Sequence, residues 1–217
     1  MRQTFHQEIE ALQNDILRMG TMVEESIQRA VESLAAGNLE GARRVVDGDD
    51  AIDDLNVDIE KRSLTLLALQ QPIASDLRFI GTALKIVTDL ERMADHAVDI
   101  AKVAIRLDGD PLIKPLIDIP RMADLVRRMT RDSLKAFVQR DTAAALQMIA
   151  LDDDLDHLYS QIFRELLVIM MNDPATIKQA TYLLFVAQYL ERIGDHCTNL
   201  GEWIIYMVTG EIKDLND

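Results

Sequence analysis

The chain is 217 residues long, 48% of them hydrophobic, and it carries a formal net charge of −14 at pH 7. This length and this apolar fraction are sufficient for one or two domains with hydrophobic cores of their own. A nucleic-acid-binding surface needs clustered basic residues, so the acidic balance argues against nucleic acid as a partner and favours cations or basic protein surfaces.

Several features of the sequence favour a cytoplasmic protein. The first eight residues, up to Glu8, lack the apolar segment of a signal peptide. The apolar run at 166–171 is far too short to span a bilayer, so we expect contact with a membrane only through partners. Cys197 is the single cysteine, which excludes an internal disulfide and agrees with a reducing compartment.

Glycine and proline are scarce, and apolar residues recur with a helical period along nearly the whole chain, which predicts an all-α fold. The expected helices cover about residues 4–36, 39–70 and 73–107, followed by about 120–139, 142–171 and 175–208. Gly37-Asn38 and Gln71-Pro72 separate the first three helices, and Asp173-Pro174 separates the last two. Only the proline-containing segment at 108–120 has linker character, which divides the chain into a first domain, 1–109, and a second, 110–217.

The two halves are related by an internal duplication. An offset of 103 residues places Ile16 and Arg18 on Ile119 and Arg121, and the same offset aligns the second helices of the halves. By the third helix the offset has become 100, because about three residues are missing near the second turn. We therefore expect two tandem antiparallel three-helix bundles, joined end to end.

The third helix of each half carries the same acidic motif, Glu-Arg-x-x-Asp-His. Its two acids are four residues apart and therefore lie on one face of the helix. The second helix of each half carries a matching Asp-x-x-x-Asp. The eight acids are Asp49, Asp53, Glu91 and Asp95 in the first half and Asp152, Asp156, Glu191 and Asp195 in the second.

In each half the two acidic pairs stand at the same height along a helical hairpin. Asp53 lies 19 residues before the turn at position 72 and Glu91 lies 19 after it, while Asp49 and Asp95 lie 23 before and 23 after. At 1.5 Å per residue, the pairs are level at roughly 28–35 Å from the hairpin tip. The second half repeats this match about Asp173-Pro174. Both pairs flank the core stripe in the same rotational sense, so they point either into the shared groove or away from it together.

Carboxylates that converge in one groove repel one another, by roughly 4 kcal/mol for a pair at about 4 Å and an effective dielectric near 20. They must protonate, spread apart or bind cations, and all-oxygen sites suit hard metals such as Mg²⁺, Mn²⁺, Ca²⁺ or iron. We predict that the eight acids are metal ligands, to which Asp99, Asn199 and Glu202 could add further ligands. A single acidic pair would indicate a solvated helix face, but the repeat and the matched heights favour metal binding.

Arginine, histidine and aromatic residues accompany the acidic motif. Arg92 and Arg192 are expected to pair with neighbouring acids, whereas His96 and His196 lie about 140° from the glutamate on the helical wheel and are predicted to be surface or interface groups. A second stripe on the last helix consists of Tyr182, Phe185, Tyr189, His196, Trp203 and Met207. It predicts a contact with the other bundle, a second subunit or a regulatory partner, or else a wide core stripe.

In this order, the motifs resemble those of the PhoU family of phosphate-signalling regulators, and the resemblance covers essentially the whole chain. Besides the acidic motifs it includes Ser75-Asp76-Leu77-Arg78 and the ending 204–210. The resemblance implies a cytoplasmic, non-enzymatic negative regulator of phosphate uptake and of the phosphate-starvation two-component response. Its implied partners are the ATPase subunit of the phosphate ABC transporter, a sensor histidine kinase and a second copy of the chain in a homodimer. Family members carry iron, in multinuclear clusters, or zinc on these motifs, which implies the same eight ligands here.

Two other functions stay open at the level of sequence. A ferritin-like di-iron carboxylate oxidase needs Glu-x-x-His on two helices, and the nearest equivalent is a single Asp154-x-x-His157. The other is a helical scaffold that binds no metal. Neither a glycine-rich phosphate loop nor a nucleophile-and-base arrangement is evident in the sequence, which favours the regulator over an enzyme.

Overall fold

Residues 2–212 are described by the computed structural model, with side chains from Phe5 onwards. The helices are α1 (Arg2–Ala36), α2 (Leu39–Asp47), α3 (Asp50–Gln70), α4 (Ala74–Leu107), α5 (Asp118–Gln139), α6 (Thr142–Ile149), α7 (Asp152–Asn172), a 3-10 turn (Pro174–Thr176) and α8 (Ile177–Thr209). All regular secondary structure in this range is helical, which confirms the predicted all-α fold. None of these helices combines the length and the apolarity that crossing a bilayer requires. Residues 213–217 of the predicted polar tail lie outside the described range.

The prediction of one continuous second helix in each half is wrong, because the structure has two helices there. The first break follows α2 at Gly48, whose N–H donates to the carbonyl of Arg44 at 3.1 Å, and α3 starts at Asp50. Glycine is a poor helix-interior residue, which explains this break. The second break lies at Ala150 and Leu151, where neither glycine nor proline is present. Each break makes an acidic segment the start of a new helix.

The four longest helices form the middle of the molecule. α1 packs on α4 within the first bundle and α5 on α8 within the second, while α4 packs along α8 and α1 along α5. α2 and α3 cover one flank, and α6 and α7 cover the other. The bundles therefore lie side by side and share one hydrophobic core, so the expectation that they join end to end is wrong.

The contact between α1 and α5 is close because a glycine lies in it. A Cβ added to Gly20 would lie only 2.1 Å from Cδ1 of Leu134. Ile16 and Met19 of α1 and Val126 of α5 are fully buried. The two halves are thus held together by the same kind of interior packing that forms each bundle.

The aromatic stripe of α8 covers part of the first bundle. The ammonium group of Lys85 lies 5.3 Å from the centre of the Trp203 ring. Tyr189 stacks on His96 with their ring centres 5.7 Å apart. Packing against the other bundle is therefore confirmed for this stripe, although Phe185 remains exposed.

Candidate functional site

Each half gathers four acids in the groove between two helices. The first carboxylate group consists of Asp49, Asp53, Glu91 and Asp95, between α3 and α4, and the second consists of Asp152, Asp156, Glu191 and Asp195, between α7 and α8. Within each group the carboxyls lie close enough to perturb one another's ionisation. The matched heights thus bring the acids together, and the acidic pairs point into the shared groove rather than away from it.

The acids of the shorter helices lie at helix starts. Asp49 directly precedes α3 and Asp53 belongs to its first turn, while Asp152 is the first residue of α7. The unpaired N–H groups and the dipole at a helix start favour negative charge, by about 0.3–1 kcal/mol for an exposed carboxylate. Continuous helices were expected from the sequence, so this stabilisation was missed, and Gly48 was its one local signal.

In the first carboxylate group, burial and mutual repulsion oppose ionisation. Burial, followed by the charges of Asp53, Asp95 and Glu91, raises the pKa of Asp49 to about 6. Burial and then Asp95 raise the pKa of Glu91 and of Asp53 above their usual values. The charged form of this group is therefore destabilised unless a cation is present.

The second carboxylate group has the same electrostatics. Burial, followed by the charges of Asp156 and Asp195, raises the pKa of Asp152 to about 6. Burial and then Asp195 raise the pKa of Glu191 and of Asp156. The duplication has therefore preserved an unfavourable concentration of negative charge as well as the residues themselves.

Two carboxylate oxygens are buried without a hydrogen-bond donor among the described residues, Asp49 Oδ1 and Glu191 Oε2, and the second has only an ion-pair contact with Nε of Arg192 at 3.6 Å. An unpaired buried acceptor costs about 1–3 kcal/mol, and a cation would remove that cost. The residues therefore fit a hard cation, whose preferred ligands are carboxylate oxygens. Within the described residues, no three acidic, histidine or cysteine side chains already form a metal-holding set. Binding would thus require the carboxylates to turn towards one another.

Two arginines offset part of the negative charge. Nη1 of Arg92 lies 3.3 Å from Oδ2 of Asp95, and Nη1 of Arg192 lies 3.0 Å from Oδ2 of Asp195. The prediction that these arginines pair with neighbouring acids is confirmed. Both are more than half exposed, so they can swing into solvent when the acids turn.

The further ligand candidates lie in different places. Nζ of Lys102 lies 3.3 Å from Oδ1 of Asp99. The positive charge of Lys102 also partly offsets the rise in the pKa of Asp49, so Asp99 and Lys102 both lie near the first carboxylate group. Asn199 instead donates its amide N–H to Oδ1 of Asp89 at 3.2 Å, at the contact between the bundles. Glu202 is half-buried farther along α8.

The histidines of the acidic motif lie between the bundles. The ring centres of His96 and His196 are 5.9 Å apart. Nδ1 of His196 lies 2.9 Å from Oδ1 of the buried Asp89. The prediction of interface histidines is confirmed, and the angular separation on the wheel explains it. Asp89 is the partner that the sequence did not indicate.

The nearest match to an oxidase motif lies beside the second carboxylate group, because His157 partly offsets the rise in the pKa of Asp156. Asp154 and His157 line a groove of about 520 Å³ between α5 and α7, together with Arg121 and Arg128. Nδ1 of His157 is turned back to the carbonyl oxygen of Asp153, 2.5 Å away. Nδ1 of this histidine is therefore engaged by the backbone, and the equivalent position of the first half holds Asp54, whereas a di-iron oxidase needs Glu-x-x-His on two helices.

The model of the PhoU domain matches the chain twice, over residues 16–104 and 119–204. The chain belongs to the PhoU family. The first PhoU domain contains the whole first carboxylate group, and the second contains the whole second group. Each domain is therefore a complete copy of the candidate site.

Relatives of the PhoU family match this chain over almost its full length. It is 46% identical over 217 residues to a phosphate-specific transport system accessory protein PhoU homolog of Clostridium acetobutylicum, covering 100% of this chain and 99% of that protein. It is 45% identical over 205 residues to the Aquifex aeolicus protein of the same name, covering 94% of this chain and 93% of that protein.

Solved PhoU structures have the same fold. The crystal structure of PhoU from Pseudomonas aeruginosa superposes with a TM-score of 0.91 at 34% identity and covers 95% of this chain and 100% of that one. The phosphate transport system regulatory protein PhoU from Streptococcus pneumoniae gives 0.90 at 32% identity, covering 97% of this chain and 100% of that one. The arrangement of the bundles is therefore shared with these two PhoU structures.

Proposed function

We propose that this chain is an accessory protein of a phosphate-specific transport system and that its two carboxylate groups hold metal ions. Its relatives in Clostridium acetobutylicum and Aquifex aeolicus are named as such accessory proteins and match it nearly end to end. The Streptococcus pneumoniae relative is titled a regulatory protein of phosphate transport. This relationship supports a regulatory role, which we propose the chain performs without catalysis.

The regulation proposed is negative. In the cytoplasm, the chain would restrain phosphate uptake and the phosphate-starvation response by linking the ATPase subunit of the phosphate ABC transporter to a sensor histidine kinase. It would act as a homodimer and reach the membrane only through these partners. The long side-by-side bundles support this role, because they offer a large surface to more than one partner.

The metal part of the proposal is carried by one observation. Four carboxylates line each of two duplicated grooves, and the pKa values of Asp49 and Asp152 are both raised to about 6. Ionised acids in such a place need a counter-charge, and oxygen donors favour Mg²⁺, Mn²⁺, Ca²⁺, iron or, by family resemblance, zinc. A bound cation would attract acids of both helices in each groove. It would thus hold the outer helix, α3 or α7, against the inner helix, α4 or α8.

Elemental analysis tests metal binding. Protein purified without chelator should contain metal, and the Glu91→Ala/Glu191→Ala variant should lose most of it. Glu10→Ala/Glu40→Ala is the matched control, because it removes the same charge from exposed acids outside both carboxylate groups. If wild type contains no metal under any loading condition, the result would support the alternative of a helical scaffold that binds no metal. Oxygen consumption by iron-loaded wild type, absent from the Glu91→Ala/Glu191→Ala variant, would support the oxidase instead.

Affinity capture tests the regulatory part. Immobilised protein should retain the transporter ATPase subunit, the sensor kinase or both from defined mixtures, with and without phosphate and metal. Capture of neither under any of these conditions would contradict the adaptor role even if metal is bound. The two parts of the proposal can therefore fail separately.

A further inference from the structure

The ligand-bearing turns of α4 and α8 are direct neighbours. His96 follows Asp95 in the chain and His196 follows Asp195, and the two imidazole ring centres are 5.9 Å apart. α4 and α8 also form the most extensive helix contact in the described part of the molecule. The two carboxylate groups lie on opposite flanks, yet their inner helices meet next to the acids themselves.

Each ligand-bearing turn is also contacted on its other side. Asp89, two residues before Glu91, accepts a hydrogen bond from His196 at 2.9 Å through Oδ1. At the equivalent place on α8, Tyr189 stacks on His96 with ring centres 5.7 Å apart. We call these four residues, Asp89, His96, Tyr189 and His196, the central contact. In both directions it connects the residue two positions before one acidic motif, Asp89 or Tyr189, to the histidine that ends the other motif.

The central contact is packed but not saturated with hydrogen bonds. Asp89 is buried, and Oδ1 also accepts a hydrogen bond from Asn199 at 3.2 Å. Nδ1 of His96 is buried without a hydrogen-bond partner among the described residues. A buried unpaired nitrogen costs about 1–3 kcal/mol, so a shift that gives it a partner is favourable. Close packing means that a turn of α4 cannot move without displacing the turn of α8 against it.

We propose that the central contact couples the two carboxylate groups, so that a cation bound by one lowers the affinity of the other. This inference rests on the metal binding proposed above. Closing the acids around a cation draws the inner helix towards its outer helix. The outer helices α3 and α7 lie on opposite flanks, so when one closure draws α4 towards α3, the packed α8 is carried away from α7. The first closure therefore opposes the second. Coupling between sites in proteins is commonly 5- to 150-fold in affinity, and it is reciprocal.

Calorimetric titration with Mn²⁺ of chelator-stripped protein measures the coupling. Glu191→Ala leaves only the first carboxylate group intact, and Glu91→Ala leaves only the second. If the groups are independent, these two titrations together reproduce the wild-type isotherm with no adjustable parameter. We expect instead that the second ion binds to wild type at least fivefold more weakly than this combination requires.

Interface variants test the route of the coupling. The variant Asp89→Ala/Tyr189→Ala removes two side chains of the central contact and keeps both histidines, which directly follow the aspartates of the acidic motifs. Its Mn²⁺ affinities should lie within twofold of those expected for independent binding. Arg78→Met is the matched control, because its Nε donates to the Met207 carbonyl at 3.1 Å in the same helix pair, far from the acids. This control should keep the coupling. Asp89→Asn, which preserves size and removes charge, serves if the double variant loses its helical circular dichroism.

Three results would overturn the inference. A wild-type isotherm equal to the independent combination, or tighter than it, shows that closing one carboxylate group does not oppose closing the other. Coupling that survives in Asp89→Ala/Tyr189→Ala, or in Asp89→Asn if that variant is used, shows that it takes another route. Absence of Mn²⁺ binding at either group removes both the inference and the metal part of the proposed function, whereas independent binding removes only the inference.

Discussion

Replacing Asp49 and Asp152, one aspartate of each carboxylate group, should stabilise the metal-free protein at neutral and alkaline pH. The pKa of Asp49 and that of Asp152 are raised from 3.8 to about 6 in the folded state. A raised folded pKa means that the folded protein binds more protons than the unfolded chain between about pH 4 and pH 6. Stability therefore falls as pH rises through this window, and the loss is complete above pH 6. Asp49→Asn and Asp152→Asn remove the charge that causes the loss.

The magnitude follows from the shift and from exposure. A shift of roughly two pKa units corresponds to about 3 kcal/mol. Both aspartates are only half-buried, and screening by solvent reduces the value to about 1 kcal/mol each. The substitutions lie in separate grooves, so their effects should add to about 2 kcal/mol. For a chain of this length that sum raises Tm by about 4–8 °C.

Urea denaturation in excess chelator at pH 8 and pH 4 provides the assay. The double variant should be more stable than wild type at pH 8 and nearly equal to it at pH 4, where the wild-type acids are protonated. Asp54→Asn is the control, because it is an exposed acid of α3 outside the first carboxylate group. A double variant less stable than wild type at pH 8 would refute the electrostatic account. An equal gain at pH 4 would also refute it, because the effect would then not depend on charge.

Other expectations concern packing. Gly194→Ala places a Cβ only 2.2 Å from Cδ2 of Leu155. Overpacking of about 1–3 kcal/mol should outweigh the gain in helix propensity of about 1 kcal/mol, so urea denaturation should show a net loss of stability. Burial raises the pKa of Cys197 to about 12, so a thiol reagent at pH 8 should label it only as fast as the protein unfolds, and rapid native labelling would contradict this. Phe137 is fully buried and stacks on Phe79 at 5.3 Å, so Phe137→Ala should cost about 3–5 kcal/mol in the same denaturation assay, and a loss below about 1 kcal/mol would contradict the packing.

The height of the acids along each helical hairpin could be predicted, because it depends only on the number of residues from the turn and on the helical rise per residue. Asp53 and Glu91 are equally far from a short turn, and a helical hairpin converts equal numbers of residues into equal heights. Their direction could not be predicted from the sequence. Helical periodicity gives the angle of Glu91 from its own core stripe, but not the angle at which α3 lies. Packing of α3 against α4 settles that angle and brings the carboxyls into the shared groove.

The helix breaks show where local signals end. Gly48 marks the first break, and a closer reading of its position before Asp49 would have found it. Ala150 and Leu151 carry no comparable signal, although they occupy the equivalent place in the second half. There, α6 and α7 both pack against α8, and this tertiary packing overrides residues that would continue a helix. The duplication itself was the available clue, because a break in one copy predicts a break in the other.

The two copies keep the same four acids in each groove but differ at part of the contact between the bundles. Both keep a glutamate and an aspartate one turn apart, since a cation requires oxygen ligands in each groove separately. At the contact between the bundles, the equivalent positions hold Asp89 and Tyr189, which meet a histidine by a hydrogen bond on one side and by ring stacking on the other. A contact needs only complementary partners, so each side could change its chemistry while continuing to join the same two turns. The unequal halves of this contact therefore do not argue against coupling, and they predict that removing Asp89 and removing Tyr189 will weaken it to different extents.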